Sequence, residues 1–303
     1  MTPSERAWAL VQGAYDLHVH VEPDILPRRI HDLALAERFR QVGLRGFVLK
    51  SHYAPTAERA QVVGGAVPGV EVLGAIVLNH GVGGLNPLAV EIAARAGARF
   101  LWFPTVDAAN EAREVAGLPP GKRPQWAKLQ EAFREAGLLP PPIEVLDAKG
   151  KVRPEARAVL KVAARHQMVV ATGHLSREEI LKVVEAALEE GVSHVVVTHP
   201  DYPTQDLPLS DQRYLASQGV YLERCFAPSH TGKVPWEKLF RAIREAGVEQ
   251  SLLSTDLGQP ANPPVEEGLA LFADRLLQAG FSDEEVRHMA VTVPAKLARG
   301  GKE

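Results

Sequence analysis

Eight short runs rich in β-branched and aromatic residues, spaced by stretches of helical periodicity, limit what this 303-residue chain can fold into. The runs are AYDLHV (14–19), GFVLK (46–50), VEVLGAIVL (70–78), RFLWFP (99–104), QMVVATG (167–173), HVVVTH (194–199), GVYLER (219–224) and QSLLSTD (250–256). Strands that alternate with helices pair in parallel through βαβ units. In "SREEILKVVEAALEEG" (176–191), Ser176 and Glu179 form a capping box and Gly191 a stop. In "VPWEKLFRAIREAGV" (234–248), Leu239, Ile243 and Ala246 share one stripe. Eight strands, with no glycine fingerprint after the first, predict a (β/α)8 TIM-type barrel with parallel strands rather than an open doubly wound sheet.

One interval is too long for a βα connection. Residues from about 106 to 152, between strands four and five, read as a surface insertion that covers the barrel mouth. Within it "IEVLDAKGKV" (143–152) predicts a hairpin turning at Asp147 to Gly150. No repeat or linker divides the chain, so one barrel over 1–303 is expected.

A net charge of -3 with scattered Lys and Arg argues against nucleic acid as a partner. No apolar run reaches the roughly 20 residues of a membrane span, and "MTPSERAWALVQG" lacks the pattern of a signal peptide. The single cysteine, Cys225, fits a reducing compartment and reads as a small apolar residue near a strand end. A cytoplasmic protein acting on a small molecule is therefore expected. Few Asn and Met with many Pro point to a thermophilic source. Barrels with an outer ring of helices often form homo-oligomers, and that expectation is carried here too.

In barrel enzymes the chemistry sits where the strands end. Strand one carries His18 and His20 on one face, with Leu17 and Val19 on the other by strict alternation. Strand two ends in Lys50 and His52, strand three in Asn79 and His80. His174 follows strand five, His199 strand six, Glu223 and Arg224 end strand seven, and Asp256 ends strand eight. His18, His20, His174 and Asp256 supply imidazole and carboxylate donors from three separate strands, a set suited to zinc, manganese or iron. The glycine-rich "GVGGLN" after His80 reads as a tight turn.

These residues resemble the amidohydrolase superfamily of metal-dependent barrel hydrolases, phosphotriesterase-like enzymes included. "DLHVH", "ATGHLS", "VVTHPD" and "LLSTDLG" match its pattern at His18, His20, His174, His199 and Asp256. The ending "FSDEEVRHMAVTVPAKLARG" is similar to one common in such hydrolases, with Val293 where Asn is usual. The resemblance spans 14–300 and implies one or two divalent ions, zinc first, at those five residues. Two-metal relatives carry a bridging Lys or Glu after strand four, where this chain offers only Thr105 and Asp107. Lys50 is read as a cation for an anionic substrate, with a carboxylated, bridging Lys50 as the other reading.

The implied chemistry is hydrolysis of an amide, ester or lactone. Asp256 serves as proton acceptor and donor, and His199 binds a second ion or polarises the substrate oxygen. Lys50, Arg28 and Arg224 are the candidates for orienting a carboxylate or phosphate, with Glu22 and Asp24 nearby in the first loop. Two rival readings stand beside this one. The first is the polymerase-and-histidinol-phosphatase barrel, a phosphoesterase that also opens on Asp-Leu-His-x-His and has a His after strand two. It closes on Asp-x-His, where this chain has Gly258. The second is a barrel that binds a metal or ligand without turning it over.

Overall fold

The computed structural model describes residues 2–119, 121 and 123–300. All eight expected strands form: β1 Tyr15–Val19, β2 Gly46–Leu49, β3 Glu71–Val77, β4 Ala98–Trp102, β5 Val169–Ala171, β6 His194–Val197, β7 Tyr221–Cys225 and β8 Ser251–Ser254. They pair in parallel in the order β1 to β8, with helices between them, as a (β/α)8 barrel. Backbone bonds close the ring: His20 N–H donates to Leu257 O at 2.8 Å and Asp256 N–H to His18 O at 2.9 Å. Among the described residues no helix is long and apolar enough to cross a membrane.

Strands buried on both faces explain why most of these runs are nearly continuous in apolar residues. Alternate residues, Val48, Val77, Phe100, Trp102, Val169, Ala171, Val196, Tyr221 and Leu252 among them, fill the barrel interior. Val293, Leu297 and Ala298, on the C-terminal helix Val293–Arg299, close that interior core from below. The helices pack on the outer faces through separate apolar clusters. The capping box of Ser176 and Glu179 opens the helix Arg177–Glu189 as expected.

Two local expectations are corrected. Leu17 lies in the barrel interior with Tyr15, whereas Val19 packs in the outer core. The register shifts between Asp16 and Val19, and this irregularity breaks the two-residue alternation just where the histidines begin. In the insertion, the turn at Asp147–Gly150 forms, but the hairpin is reduced to one antiparallel bridge, Leu146 to Val152. The Asp147 side chain accepts from the N–H groups of Lys149 and Lys151, and Ile143 pairs with residues 107 and 109 instead. The rest of the insertion contributes the helices Ala109–Ala116 and Gln125–Glu135.

Asp16 ties the first strand to the last. Its carboxyl accepts from Thr255 N–H at 3.0 Å, Thr255 O–H at 2.5 Å and His18 N–H at 3.3 Å. Burial pushes its pKa up to about 7, against the opposing pull of the Thr255 hydrogen bonds. The folded protein therefore holds this proton more tightly than the unfolded chain does. Between about pH 4 and pH 7 the native state binds more protons, so this group's contribution to stability falls as pH rises and levels off above 7. The shift corresponds to a loss on the order of 4 kcal/mol at pH 8. Asp16→Asn is expected to raise unfolding free energy at pH 8 relative to wild type and to change it little at pH 4. Denaturant titrations at both values check this, and equal effects at the two would contradict it.

Candidate functional site

The strand ends bring most of the expected residues into one place. His18 Nε2 and His20 Nε2 both lie 3.2 Å from Asp256 Oδ1, joining β1 to the end of β8. These three side chains form one group compact enough to hold an ion. The His199 ring stands 6.2 Å from that of His18 and 5.1 Å from that of His174, so the histidines of β5 and β6 complete the rim around the group. Lys50 Nζ is 2.8 Å from His18 Nε2, and the His52 ring stacks on His20 at 4.9 Å.

Backbone geometry is unusual at two of these positions. Asp256 has φ of 53° and His199 a φ of 25°, left-handed conformations that non-glycine residues adopt at a cost of about 1–3 kcal/mol. At Gly258 a Cβ would fall 1.6 Å from His20 O, so the chain leaving β8 can pass the end of β1 only without a side chain.

What lies behind each imidazole decides what it offers in front. His18 Nδ1 is 3.2 Å from the Glu223 carboxylate of β7. His174 Nδ1 is 3.3 Å from Glu111 Oε2, on the inserted helix Ala109–Ala116. His199 Nδ1 is 3.0 Å from Gln205 Oε1, whose amide nitrogen donates to Thr204. The Nδ1 atoms of His18 and His199 thus face acceptors, while His174 Nδ1 makes no hydrogen bond to Glu111; a neutral ring with its proton held at Nδ1 offers Nε2 as a lone pair. Burial drives the pKa of His199 down to about 3, with His174 adding to the effect, and lowers His20 and His52 well below the usual range. Neutral imidazoles are the ligating form. Burial alone would raise Asp256, but His18, His20 and Lys50 together hold its carboxyl well below the usual range, so it is ionised. His20 Nδ1 is buried without a partner.

A second compact group, His18, Glu223 and Cys225, shares the His18 ring. The Cys225 thiol is 4.0 Å from His18 Nδ1, and burial pushes its pKa well up, Glu223 adding to this. A protonated thiol is a poor ligand. This group supports His18 from behind, and Cys225 is a small buried residue at the end of β7, as expected.

Above the histidines lies a cavity of about 300 Å³ lined by His20, His52, His174, His199 and Asp256. Arg28, Lys50 and Lys233 bring positive charge to its wall, and Tyr202 and Trp126 bring aromatic surface. Trp126 belongs to the insertion, which accordingly reaches the mouth. Arg28 Nε donates to Asp24 at 2.8 Å. Burial lowers the pKa of Lys50, opposed by Asp256 and Glu223.

Arg224 does not join them. It is fully buried, pairing through Nη1 with Asp201 at 2.6 Å and Gln212 at 2.7 Å, beneath the outer helices. Tyr221 and Glu223 occupy the inward positions of β7, so Leu222 between them and Arg224 after them face outward. Its expected role as a substrate contact is corrected to a structural one. Asp107 accepts from Gln130 and from His80 N–H, and Glu22 from Arg28 N–H; neither lines the cavity. Glu111, Gln205, Tyr202 and Lys233 escaped the sequence reading because they lie in loops or the insertion, outside any strand period. Gln205, six residues past His199, carried no local signal at all.

Residues 13–223 match the profile of DUF6282, described as a family of unknown function. The chain belongs to that family. No curated protein matches this DUF6282 protein in sequence. In structure it is similar to the probable dipeptidase PvdM from Pseudomonas aeruginosa, with a TM-score of 0.62 and 11% identity over 98% of each chain. A protein named as a 2-pyrone-4,6-dicarboxylic acid hydrolase from Pseudomonas putida gives 0.60 and 16%, over 96% of this chain and 99% of the other. An amidohydrolase from Pseudomonas aeruginosa gives 0.57 and 11%, over 99% of both. The fold is that of the amidohydrolase-type barrels, as the sequence resemblance implied.

Proposed function

We propose that this DUF6282 protein is a metal-dependent hydrolase that cleaves an amide, ester or lactone bond in a small anionic substrate. One observation carries the reading: His18 Nε2 and His20 Nε2 meet the Asp256 carboxylate in one compact group, His174 and His199 line the same cavity, and Glu223 and Gln205 stand behind His18 and His199 to take their Nδ1 protons. Neutral imidazoles and an ionised carboxylate form a donor set that suits zinc, with manganese or iron served by the same atoms. His18, His20 and Asp256 would hold the ion, with His174 and His199 completing the set or taking a second one. When bound, the metal would acidify water toward a pKa of about 7 and polarise the substrate oxygen.

The chain does the rest. Asp256 accepts the proton of the attacking water and returns it to the leaving group, a role its full ionisation prepares. Arg28 and Lys50 hold the substrate's carboxylate or phosphate, and Lys233 adds a third positive charge to the wall. Trp126 and Tyr202 shield the reacting atoms from bulk water. The hydrolases among the structural relatives make this chemistry the first to test. The polymerase-and-histidinol-phosphatase reading is disfavoured because its closing histidine would stand at Gly258, where a Cβ meets His20 O. The lone cysteine agrees with a cytoplasmic setting.

Elemental analysis of the protein loaded with zinc, manganese or iron should find bound ion, and dialysis against a chelator should remove it. A panel of lactones, esters and N-acyl compounds bearing a carboxylate should reveal turnover that is lost on chelation and restored by metal. A protein that retains no ion overturns the proposal. A loaded protein inert across the panel supports a metal-binding barrel without turnover.

A further inference from the structure

The four rim imidazoles outside β1's second histidine are not equivalent, and His52 is the exception. Its Nδ1 faces not an acceptor but a hydroxyl, Thr105 Oγ1, at 2.8 Å. The direction of that bond follows from Asn79, at the end of β3. Asn79 Oδ1 accepts from Thr105 N–H at 2.8 Å and Asp107 N–H at 3.3 Å. Its amide nitrogen must therefore be the donor on the other side, to His52 O at 3.0 Å and to Thr105 Oγ1 at 2.7 Å. With an oxygen lone pair of Thr105 already taken, the hydroxyl proton remains to be placed. Among the described residues its sole acceptor is His52 Nδ1. Thr105 is fully buried, and an unpaired hydroxyl there costs about 1–3 kcal/mol. His52 Nδ1 is then a lone pair, and the ring proton sits on Nε2, away from Thr105, in a ring that lines the cavity.

We infer that His52 is not an ion ligand but a fixed hydrogen-bond donor, its Nε2–H placed to hold the substrate's reacting oxygen as negative charge develops there. The inference rests on the hydrolase reading of the same cavity. The rings of His18 and His199, backed by acceptors, present lone pairs, and His52, just after β2 at the same rim, presents a proton: a division between binding a cation and binding an anion. The Asn79–Thr105 relay is what makes the difference, and it lies wholly in backbone-anchored side chains that substrate does not touch. A donor fixed before substrate arrives stabilises a developing oxyanion without reorganisation. His52 touches the substrate; Thr105 and Asn79 are positioning residues.

Long-range proton–nitrogen NMR of histidine-labelled protein reads the tautomer directly. His52 should carry its proton on Nε2 in the metal-free protein and keep it there after zinc is added. Thr105→Ser should preserve that state, and Thr105→Val should give a mixture. Zinc content should be unchanged in His52→Gln and in His52→Ala, and lost in His18→Ala. Inorganic phosphate, a tetrahedral oxyanion, should shift the His52 Nε2–H resonance of the zinc-loaded protein. It should bind about tenfold more weakly to His52→Ala than to His52→Gln, whose amide nitrogen replaces the donor. A proton on Nδ1, loss of zinc from His52→Gln, or a phosphate complex that leaves this resonance unmoved overturns the assignment. If wild type binds no zinc, the hydrolase reading falls instead, and the tautomer in metal-free protein still decides the Asn79–Thr105 relay.

Discussion

Asp256→Asn is expected to fold as the wild type does, to bind its ion more weakly, and to lose about 10²–10⁴-fold in turnover on any substrate the panel identifies. The amide matches the carboxylate in shape, so the closure of β8 on β1, which runs through the Asp256 backbone N–H, is untouched. What disappears is the negative charge of the carboxylate, which stays ionised despite its burial. With it goes the acceptor for the water's proton. Circular dichroism and thermal melting should report a native fold while steady-state kinetics report the loss. Full activity in a folded, metal-loaded Asp256→Asn would remove this carboxylate from the mechanism.

Arg224→Met tests the correction to the sequence reading and carries the largest expected change in stability. Methionine keeps much of the volume but leaves the Asp201 carboxylate, 4% exposed, without its cation. Breaking a buried pair from one side costs about 3–5 kcal/mol. For a chain of this length that is a drop in Tm of roughly 5–8 °C. Adding Asp201→Asn should restore part of the loss, because no charge then remains buried. Turnover per folded molecule should stay near wild type at 25 °C, since Arg224 does not reach the cavity. A selective rise in KM with unchanged Tm would instead return Arg224 to the substrate.

Much of the barrel could be read from the residues alone because parallel strands buried on both faces are strongly apolar, and because polar residues gather where such strands end. That reasoning singled out His18, His20, Lys50, His174, His199 and Asp256, which the fold brings to one rim. It failed where a decision hung on one residue of register. In "YLERC" the period of two allows either Glu223 or Arg224 to face the barrel axis, and only the interior position of Tyr221 decides between them. The register shift in β1 defeats the same rule, since nothing in "YDLHV" signals that Asp16 will accept the His18 N–H. The hairpin at 143–152 was overread because Asp147 captures the donors a ladder needs. Lys233 and Tyr202, which face each other with Nζ and the phenol oxygen 3.0 Å apart, come together only through the loops that follow β6 and β7.

The donor set is split between the two ends of the barrel's sheet: β1 brings two imidazoles, and the carboxylate that meets them follows β8. A nascent chain emerging from the ribosome therefore carries His18 and His20 long before it carries their partner. Until Asp256 docks, those two histidines hold a divalent ion only as loosely as a short peptide would, and any tight uptake must wait for the ring to shut. On the proposed reading metal acquisition would thus report completed folding, and a barrel left ajar between its first and last strands would be recognised by its inability to keep an ion.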